Sequence, residues 1–484
     1  MNMFKINVAG LKIDAITKKE LLEEITKRIR TGQKIFVTTP YSEFLYYGLK
    51  DAKVMDMLNQ ANLAVPDGIG IFWAARYLSI PLTAKNYWLK ILQAFWQTFY
   101  SLLAIIFYPR WIKTFNTPPH EEGMGEVLAN ALRKFTTTPS SPPSGGGEKL
   151  KWEKIAGADL IWDLAKLAND NYWSIYLLGG FGETPRLVAN ALKNKYPNIK
   201  IAGWSNKNPC DLTIIDDIKK ANPDLLFVAY GPIKQEQWIV QNLPNLPVKL
   251  AIGLGGTFDY LAKKKANPPK FLRFIGLEWL WRLLTQPHRF KRIYNATFGL
   301  INLLVHYKIF MSYPIRKNAL AVIINQEDKI FIARKSPNFH NIDIINNHDL
   351  KKWQNYWQFP QGGIEDSEDV TKAVKREVLE ETGMDGLQFI KTSNQTHTYI
   401  WNNALRKFWR NRNYRFKGQS QSIVYLKFIG NENEIKLPPR EELVDYKWVT
   451  VQDLNYAVHV ERLPIVKIIQ EDLKELTKKD IMIR

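Results

Sequence analysis

Hydrophobic runs alternate with amphipathic segments between residues 155 and 260. The runs SIYLLGG, DLLFVAYG and KLAIGLGG each end in glycine, and a segment with helical spacing of its apolar positions follows each of them. Short, continuously apolar runs are typical of strands that are buried on both faces of a parallel sheet. The pattern therefore predicts an α/β region with a parallel sheet, in which the first turns of the helices can bind phosphate.

Two other stretches have different patterns. The N-terminal segment MNMFKINVAGLKIDAITKKELLEEI alternates like a strand and then becomes helical, so we expect no signal peptide there. Residues 91–108, ILQAFWQTFYSLLAIIFY, carry no charge and are flanked by basic residues. This stretch is just long enough for a transmembrane helix. An interfacial helix, a re-entrant hairpin and a buried helix of a soluble domain are the alternatives.

The composition is strongly basic. The chain has 484 residues, and Lys and Arg exceed Asp and Glu by 20. This length predicts two to four domains, and the charge favours partners rich in phosphate, such as nucleotides, nucleic acid or an anionic membrane surface. No helix-turn-helix, zinc-finger or RNA-binding motif supports nucleic acid. The single cysteine, Cys210, excludes an internal disulfide and fits a reducing cytosol.

Acidic residues are concentrated in residues 357–384, WQFPQGGIEDSEDVTKAVKREVLEETGM. A helix that begins near Asp369 places Glu377, Glu380 and Glu381 on one face. Three crowded carboxylates repel one another, and a hard cation such as Mg²⁺ or Mn²⁺ would remove that cost. The spacing therefore favours a divalent metal site on this helix.

Neighbouring residues support this interpretation but do not require it. Gly362 and Gly363 allow a close approach of the backbone before the helix. Arg376 could hold one glutamate in its ionised, metal-binding rotamer. Taken alone, the segment could also be a solvated acidic helix with charge pairs to Lys372 and Arg376.

The wider pattern resembles a Nudix hydrolase. Gly362, Glu368 and the run REVLEETGM at 376–384 fit the Nudix box, and WQFPQGG, FKGQSQSIVYLKF and EELVDYKWV extend the resemblance to RNA 5′-pyrophosphohydrolases and dinucleoside polyphosphate hydrolases. A departure is the long polar stretch at 336–356. The resemblance implies an α+β domain with a mixed sheet between helices, which hydrolyses a diphosphate linkage in a nucleoside polyphosphate or at an RNA 5′ end. It implies that Glu377, Glu380 and Glu381 bind Mg²⁺ (or Mn²⁺) and activate the attacking water, and that Arg376 is catalytic. It also implies a further metal ligand at Glu442, although Glu441 is an equally near neighbour of that position.

Five segments of the N-terminal part carry a second resemblance. They are TTPYSEFLY at 38–46, AVPDGIGI at 64–71, KIAGADL at 154–160, GPIKQEQW at 231–238 and GLEWLWRLLTQPHRFKR at 276–292. In this order they resemble the WecG/TagA/CpsF family of glycosyltransferases over roughly residues 3–300. Two positions depart from the family pattern: Tyr41 replaces an asparagine, and Lys154 stands where arginine is common.

This resemblance implies a Rossmann-like domain that transfers N-acetylmannosamine, or a related sugar, from a UDP donor to a polyprenyl-diphosphate-linked sugar without a metal cofactor. It implies that Asp67 is the general base, that Thr39 shapes the sugar pocket and that Gln235 belongs to the donor site. Arginines would neutralise the departing UDP, and the candidates are Arg282, Arg289 and Arg292. Taken alone, Asp67 could be a turn residue, Gln235 a first-turn helix residue and the arginines a solvated face.

These resemblances give a domain plan. We expect a glycosyltransferase domain at 1–312, interrupted by an insertion at about 82–152 that contains the low-complexity linker TTTPSSPPSGGG at 136–147. We expect a Nudix domain at 313–484. A single membrane crossing at 91–108 would separate Asp67 from Gln235, so an interfacial or re-entrant segment fits better.

The two resemblances together imply a bifunctional enzyme of cell-surface polysaccharide synthesis. It would be cytoplasmic and attached peripherally to the inner face of the membrane. An alternative is a Nudix domain that senses nucleotides without turnover and regulates a membrane-attached transferase or scaffold. Whether the chain forms a homo-oligomer stays open.

Overall fold

A computed structural model describes residues 4–107, 152–262, 278–285, 287, 290–335, 356–401, 416–437 and 443–482. The chain forms two compact units, Met1–Ile309 and Phe310–Arg484. The predicted linker at 136–147 and most of the polar stretch at 336–356 lie outside the described residues.

Within its described residues, the first unit contains eight strands and most of the helices. The strands are β1 Lys5–Val8, β2 Leu11–Asp14, β3 Ile35–Thr38, β4 Leu63–Ala64, β5 Ser174–Gly179, β6 Lys200–Ser205, β7 Leu225–Ala229 and β8 Leu250–Gly253. The helices up to residue 311 are α1 Lys18–Arg30, α2 Ser42–Lys50, α3 Ala52–Leu58, α4 Ile69–Ser79, α5 Tyr87–Phe107, α6 Gly157–Asp170, α7 Thr184–Lys195, α8 Thr213–Ala221, α9 Lys234–Asn242, α10 Gly255–Leu261, α11 Glu278–Thr285, α12 Phe290–Tyr294 and α13 Leu300–Met311. A 3₁₀ turn, Leu243–Asn245, follows α9, and a π-helical turn, Asn295–Gly299, joins α12 to α13.

Six strands of this unit form one sheet in the order β4-β3-β8-β7-β5-β6, and every pairing is parallel. The apolar runs of the sequence become β5, β7 and β8. Their residues are buried because helices cover both faces. Strands β1 and β2 form a separate antiparallel hairpin. The predicted parallel α/β sheet is confirmed.

Helix α1 shows how the sequence fixes one of the covering helices. Thr17 accepts a hydrogen bond from the Glu20 backbone amide, and the Glu20 side chain accepts one from the Thr17 backbone amide, so the helix begins with a capping box. Leu21, Ile25 and Ile29 recur at a spacing of four and are buried in the core below the sheet. Local capping and burial therefore specify the same helix.

The second unit is built on a mixed sheet of seven strands. They are β9 Ile315–Ile324, β10 Ile330–Lys335, β11 Trp357–Gln358, β12 Gln361–Gly363, β13 Leu387–Ile400, β14 Gly418–Phe428 and β15 Leu443–Val449. The main order is β11-β10-β9-β14-β13, with β12 paired to β9 and β15 paired to β10. Strands β9 and β14 are parallel, and the other pairs are antiparallel.

Helices cover both faces of this sheet. They are α14 Val370–Thr382, α15 Leu454–Ala457 and α16 Leu463–Met482, with 3₁₀ turns at Glu432–Glu434 and Val460–Arg462. Val374 and Val378 of α14 enter one apolar core. Ile465 and Val466 of α16 enter the other. The predicted α+β arrangement, with a mixed sheet between helices, is confirmed.

The uncharged stretch at 91–108 forms most of α5. Within the part of the chain that the structure describes, none of the helices combines the length and the hydropathy needed to cross a bilayer. Helix α5 packs against α4: the Trp73 indole donates to Ser101 Oγ at 2.9 Å, and the Tyr77 hydroxyl donates to the Ala94 carbonyl at 3.3 Å.

Candidate functional sites

The first site lies at the carboxyl edge of the parallel sheet. Thr39 directly follows β3, and Asp67 follows β4 after a two-residue turn. These strands are neighbours, and parallel strands end at the same edge of a sheet. The Asp67 backbone amide donates to the Pro40 carbonyl at 2.8 Å. This bond ties the two loops together.

Gly157, the first residue of α6, lies between the two side chains. Its backbone amide donates to Asp67 Oδ2 at 3.2 Å. A Cβ at position 157 would be 3.4 Å from Thr39 Oγ1 and 3.7 Å from Asp67 Oδ2. The half-buried Asp67 carboxylate is therefore held by a helix N-terminus, where backbone amides and the helix dipole favour negative charge. The structure thus brings Thr39 and Asp67 together.

Gln235 lies in the first turn of α9 and is 4% exposed. Its Nε2 donates to Glu236 Oε1 at 2.8 Å, and its Oε1 accepts from the Gly255 backbone amide at 3.0 Å. A Cβ at Gly253 would be 2.4 Å from Gln235 Nε2. The side chain therefore connects α9 to the loop after β8. Both ends of its amide group are hydrogen-bonded to other groups of the protein.

Glu236 is fully buried beside it. Its Oε2 accepts from the backbone amide of Ile233 at 2.8 Å. Ile233 has a φ of 71°, which is strained for a β-branched residue. Burial raises the pKa of Glu236 to about 7. The carboxyl group therefore fixes a strained loop next to the carboxyl ends of β7 and β8.

Glu236→Gln should flatten part of the pH dependence of stability. Because the folded-state pKa is raised from 4.5 to about 7, the stabilisation is complete below pH 4.5 and is lost as the pH rises through 7. The rise corresponds to roughly 3 kcal/mol. Thermal unfolding of the full chain between pH 5 and 8 should therefore show the melting temperature of the variant rising relative to that of the wild type. Glu23→Gln, at an exposed position of α1, is the control. Parallel curves for wild type and variant would contradict the assignment.

Arg292 makes contacts that the sequence did not predict. Its Nε donates to Glu43 Oε1 at 3.0 Å and its Nη2 to Glu43 Oε2 at 2.8 Å, while the Tyr41 hydroxyl lies 3.4 Å from Nη2. Glu43 is buried in α2, and this bidentate pair raises the pKa of Arg292. The ion pair of Arg292 with Glu43 therefore connects α12 to the TTPYSEF segment at 38–44. Arg282 lies in α11, where the structure describes its backbone only, and Arg289 lies outside the described residues.

The second site is the Nudix box. Asp369 caps α14, since its side chain accepts from the Thr371 backbone amide at 2.8 Å, and Gly383 ends the helix with a φ of 67°. The helix that was expected near Asp369 thus spans Val370–Thr382. Glu377, Glu380 and Glu381 follow one face of it, as the spacing predicts.

Arg376 lies at the centre of this acidic group. It donates to Glu368 through Nε and Nη2, each at 3.0 Å, to Glu377 through Nη1 at 2.9 Å and to Glu380 through Nη1 at 3.3 Å. Its Nη2 also donates to the Gly363 carbonyl at 3.0 Å. The guanidinium lowers the pKa of Glu368. For Glu377, burial outweighs Arg376 and raises the pKa.

The candidate metal ligands are carboxylates, which suit a hard cation. Glu377 is held against β12, because a Cβ at Gly362 would lie 1.8 Å from its carboxyl carbon. Glu381 Oε2 accepts from the Gln361 backbone amide at 3.1 Å. Among the described residues, no three His, Cys, Asp or Glu side chains are gathered closely enough to hold a metal ion. Carboxylate oxygens are ligands that suit Mg²⁺. In this structure Arg376 bonds two of the three helix glutamates, Glu377 and Glu380. Glu442 lies outside the described residues.

Gly362→Ala should impair this site without unfolding the domain. The added methyl would displace the flexible end of Glu377 rather than backbone. A displacement of about 1 Å can lower a rate roughly 100-fold, so we expect such a loss in diphosphate hydrolysis and an unchanged melting temperature. Gly363→Ala is the comparison variant, because the atoms nearest to its added Cβ would belong to the guanidinium of Arg316 and not to a glutamate of the box. Equal losses in the two variants would contradict the role of Gly362.

Three residues at these sites were not among the predicted ones. Gly157 lies within the quoted KIAGADL segment, and its position before a helical run was the available signal. Glu236 and Glu43 lie in quoted segments too, but they pack against residues distant in the chain: a Cβ at Gly253 would be 2.4 Å from Glu236 Oε1, and Arg292 pairs with Glu43. Local spacing contains no information on those contacts.

Comparison with known proteins gives two family matches. A model described as the glycosyl transferase WecG/TagA/CpsF family matches residues 6–108 and 147–313, and the NUDIX domain model matches residues 314–468. Residues 82–108, part of the predicted insertion, lie inside the first match. Residues 109–146 lie between its two parts.

Two curated relatives share the first region. The N-acetylglucosaminyldiphosphoundecaprenol N-acetyl-beta-D-mannosaminyltransferase of Bacillus subtilis (strain 168) is 37% identical over 141 residues, which are 29% of this chain and 55% of that enzyme. The enzyme of the same name from Staphylococcus aureus (strain MRSA252) is 23% identical over 297 residues, 60% of this chain and 89% of that enzyme. The match to the first relative thus spans about half of its length.

Solved structures resemble the second region. The E. coli dihydroneopterin triphosphate pyrophosphohydrolase is 19% identical with a TM-score of 0.22, covering 30% of this chain and 88% of its own. A C. elegans Ap4A hydrolase binary complex is 18% identical with a TM-score of 0.24, covering 33% and 99%. Because these TM-scores are low, the assignment of this region rests on the NUDIX family model.

A parallel α/β unit and a mixed-sheet unit with a complete Nudix box define an enzyme with a glycosyltransferase domain and a Nudix hydrolase domain. The first family model matches more than half of the chain. The chain therefore belongs to the WecG/TagA/CpsF family of glycosyl transferases, and it carries a NUDIX domain at its C-terminal side. Both predicted families and the predicted enzyme class are confirmed.

Proposed function

We propose that the first unit transfers N-acetylmannosamine, or a related sugar, from a UDP donor to a polyprenyl-diphosphate-linked sugar. The observation that carries this proposal is the pairing of Thr39 with Asp67 around the N-terminus of α6. The names of the two curated relatives, which describe such a transfer, support the choice of substrates.

In this reaction Asp67 takes the proton from the acceptor hydroxyl as the hydroxyl oxygen attacks the anomeric carbon. The bond from that carbon to the UDP oxygen breaks, and UDP leaves with the electron pair. Thr39 lies beside Asp67 and would position the sugar. Arg282 and Arg289 are the proposed contacts to the diphosphate. Arg292, which pairs with Glu43, would instead hold α12 at the edge of the site.

The second unit is proposed to hydrolyse a diphosphate linkage in a nucleoside polyphosphate or at an RNA 5′ end. Glu377, Glu380 and Glu381 would hold Mg²⁺ or Mn²⁺, with Glu442 as the proposed further ligand. The bound cation would lower the pKa of a water molecule and absorb charge that develops on the phosphate. Arg376 holds Glu377 in place, and Gly362 leaves room for it.

A second candidate for this unit is nucleotide sensing without turnover. The observation that favours it is the position of Arg376, which bonds Glu377 and Glu380 in this arrangement. Under this alternative the nucleotide would bind and regulate the transferase. Hydrolysis by the wild type in the presence of Mg²⁺ distinguishes the two candidates.

We further propose that the chain works at the inner face of the membrane, attached peripherally to an anionic surface. The basic composition and the lipid-linked acceptor support this location. A polyprenyl chain stays in the bilayer, so a transferase attached to the membrane encounters its acceptor far more often than one free in solution.

One mass-spectrometric assay tests both activities. It contains the full chain, Mg²⁺, UDP-N-acetylmannosamine, other UDP-sugars and a short polyprenyl-diphosphate-N-acetylglucosamine. A disaccharide-lipid product supports the transferase proposal, and its absence with every donor overturns the choice of substrates. UMP formation would link the Nudix unit to the same nucleotides. Triphosphorylated RNA and dinucleoside polyphosphates are the next substrates if UMP does not form.

A further inference from the structure

Helix α5 exposes large apolar side chains and buries small or polar ones, which is the reverse of the usual surface helix of a soluble domain. Every exposed residue of the helix between positions 87 and 105 is large and apolar. These residues are Trp88, Leu89, Leu92, Phe95, Trp96, Phe99 and Leu103. The exposed fractions of Trp88, Trp96 and Leu92 are 70%, 68% and 64%. Seven such side chains on one helix form a contiguous apolar surface, which is called the α5 face below.

The opposite side of α5 is small or polar and faces the protein. Its buried residues are Ala94, Gln97, Thr98, Ser101 and Ala104. Gln97 donates to the Pro81 carbonyl at 2.9 Å, and Ser101 accepts from the indole of Trp73. Gln93 accepts from the backbone amides of residues 83 and 84 and donates to Thr83 Oγ1. These bonds fix the rotation of the helix, so the outward position of the α5 face is part of the fold.

The charges around α5 indicate what covers this face. From Gly68 to Phe107 the sequence contains no Asp or Glu, whereas Arg76, Lys85 and Lys90 provide positive charge. Lys85 lies just before the helix and is exposed. Tryptophan and phenylalanine beside lysine are typical of helices that lie in the interface of an anionic bilayer. The lysines would form ionic contacts with the lipid phosphates, and the apolar side chains would pack against the acyl chains.

We infer that the α5 face is the surface through which this enzyme binds an anionic lipid bilayer. The helix lies in the plane of the interface, with its polar side kept on α4. Helix α4 begins two residues after Asp67, so this contact places the Asp67 edge of the sheet close to the lipids. The inference rests on the proposed membrane association and assigns it to one helix.

Vesicle binding of the full chain tests the inference. The probes are vesicles with about 30% phosphatidylglycerol in phosphatidylcholine, and vesicles of phosphatidylcholine alone. Replacing Leu92, Trp96 and Phe99 together by Gln should weaken binding to the anionic vesicles at least about tenfold. Leu212→Gln, Tyr456→Gln and Val460→Gln together are the matched control, because these apolar side chains lie elsewhere and are at least as exposed. The control should bind as the wild type does.

A fluorescent label provides a second readout that does not depend on the triple variant. The chain has one cysteine, Cys210, so Cys210→Ser gives a background for single labels. An environment-sensitive label on Leu92→Cys should shift to shorter emission wavelengths with anionic vesicles and be quenched by spin-labelled lipids. A label on Leu212→Cys should do neither. Equal responses at the two positions would overturn the inference.

Several results of vesicle binding, light scattering and sugar transfer would contradict or confine the inference. Wild-type protein that ignores both kinds of vesicle overturns the inference, as does a triple variant that binds normally. Light scattering gives the oligomeric state of each protein. If the wild type is an oligomer, the triple variant is a monomer and vesicle binding is unchanged, the α5 face is instead the interface with a second copy of the chain. Transfer to a short, water-soluble acceptor should persist in the triple variant. Transfer by a wild type that binds no vesicles would leave the proposed transfer reaction standing and remove both the proposed membrane attachment and the inference that rests on it, whereas normal vesicle binding by the triple variant would remove the inference alone.

Discussion

Asp67→Asn is expected to lower the rate of sugar transfer by about 10²–10⁴-fold, the range that a general base contributes. The amide keeps an oxygen that can accept the hydrogen bond from the Gly157 backbone amide, which Asp67 Oδ2 accepts at 3.2 Å. The loop should therefore keep its shape while losing the group that takes the proton. Single-turnover kinetics with the lipid-linked acceptor measure the chemical step directly.

The matched control for this variant is Asp159→Asn. Asp159 lies in the first turn of α6, close to Gly157 in the chain, and is exposed. It should transfer sugar at the wild-type rate. Equal melting temperatures for the two variants would exclude unfolding as the cause of the loss. Near-normal transfer by Asp67→Asn would show that another group is the base.

Glu380→Gln is expected to lower diphosphate hydrolysis at least about 100-fold. Its side chain is 58% exposed and bonds only weakly to Arg376, at 3.3 Å, so the substitution should not affect folding. It removes one negative charge from the proposed cation site. A higher Mg²⁺ concentration should therefore be needed for half-maximal activity, and a Mg²⁺ titration of hydrolysis measures this.

Glu365→Gln tests whether any lost carboxylate near the box has the same effect. Glu365 is exposed and precedes the helix. It should retain normal hydrolysis and a normal Mg²⁺ requirement. If the wild type binds nucleotides but hydrolyses none, the sensing alternative is supported instead. Sugar transfer should be unchanged in both glutamate variants, because the proposed transferase site belongs to the other unit.

The sequence was sufficient for features that depend on local spacing. Three apolar runs ending in glycine became β5, β7 and β8, and the spacing of the Nudix box gave α14 almost to the residue. Burial on both faces of a parallel sheet and capping at Asp369 act within a few residues. Such features are therefore readable from a single sequence.

Features that depend on long-range contacts were not readable. The contact of Arg292 with Glu43 is one case: the two residues lie far apart in the chain, and only the folded unit brings them together. The predicted contact of Arg292 with the diphosphate stays a prediction. The direction of α5 is another case. Its uncharged stretch predicted a helix near a membrane, whereas the burial of Gln97 and Ser101 depends on partners in α4 and the preceding loop.

The pairing of β3 with β8 has a consequence for the way this chain folds during synthesis. Strand β3 lies near the N-terminus, and β8 becomes available only after most of the first unit has left the ribosome. Contacts so distant in sequence form slowly, because loop closure precedes their stabilisation. Strands β5, β6 and β7 are closer in sequence and can associate first. Strand β3 pairs with β4 on one side and with β8 on the other, so during synthesis its second edge would stay unpaired until β8 emerges, and such edges are the places where nascent chains associate wrongly and where chaperones act.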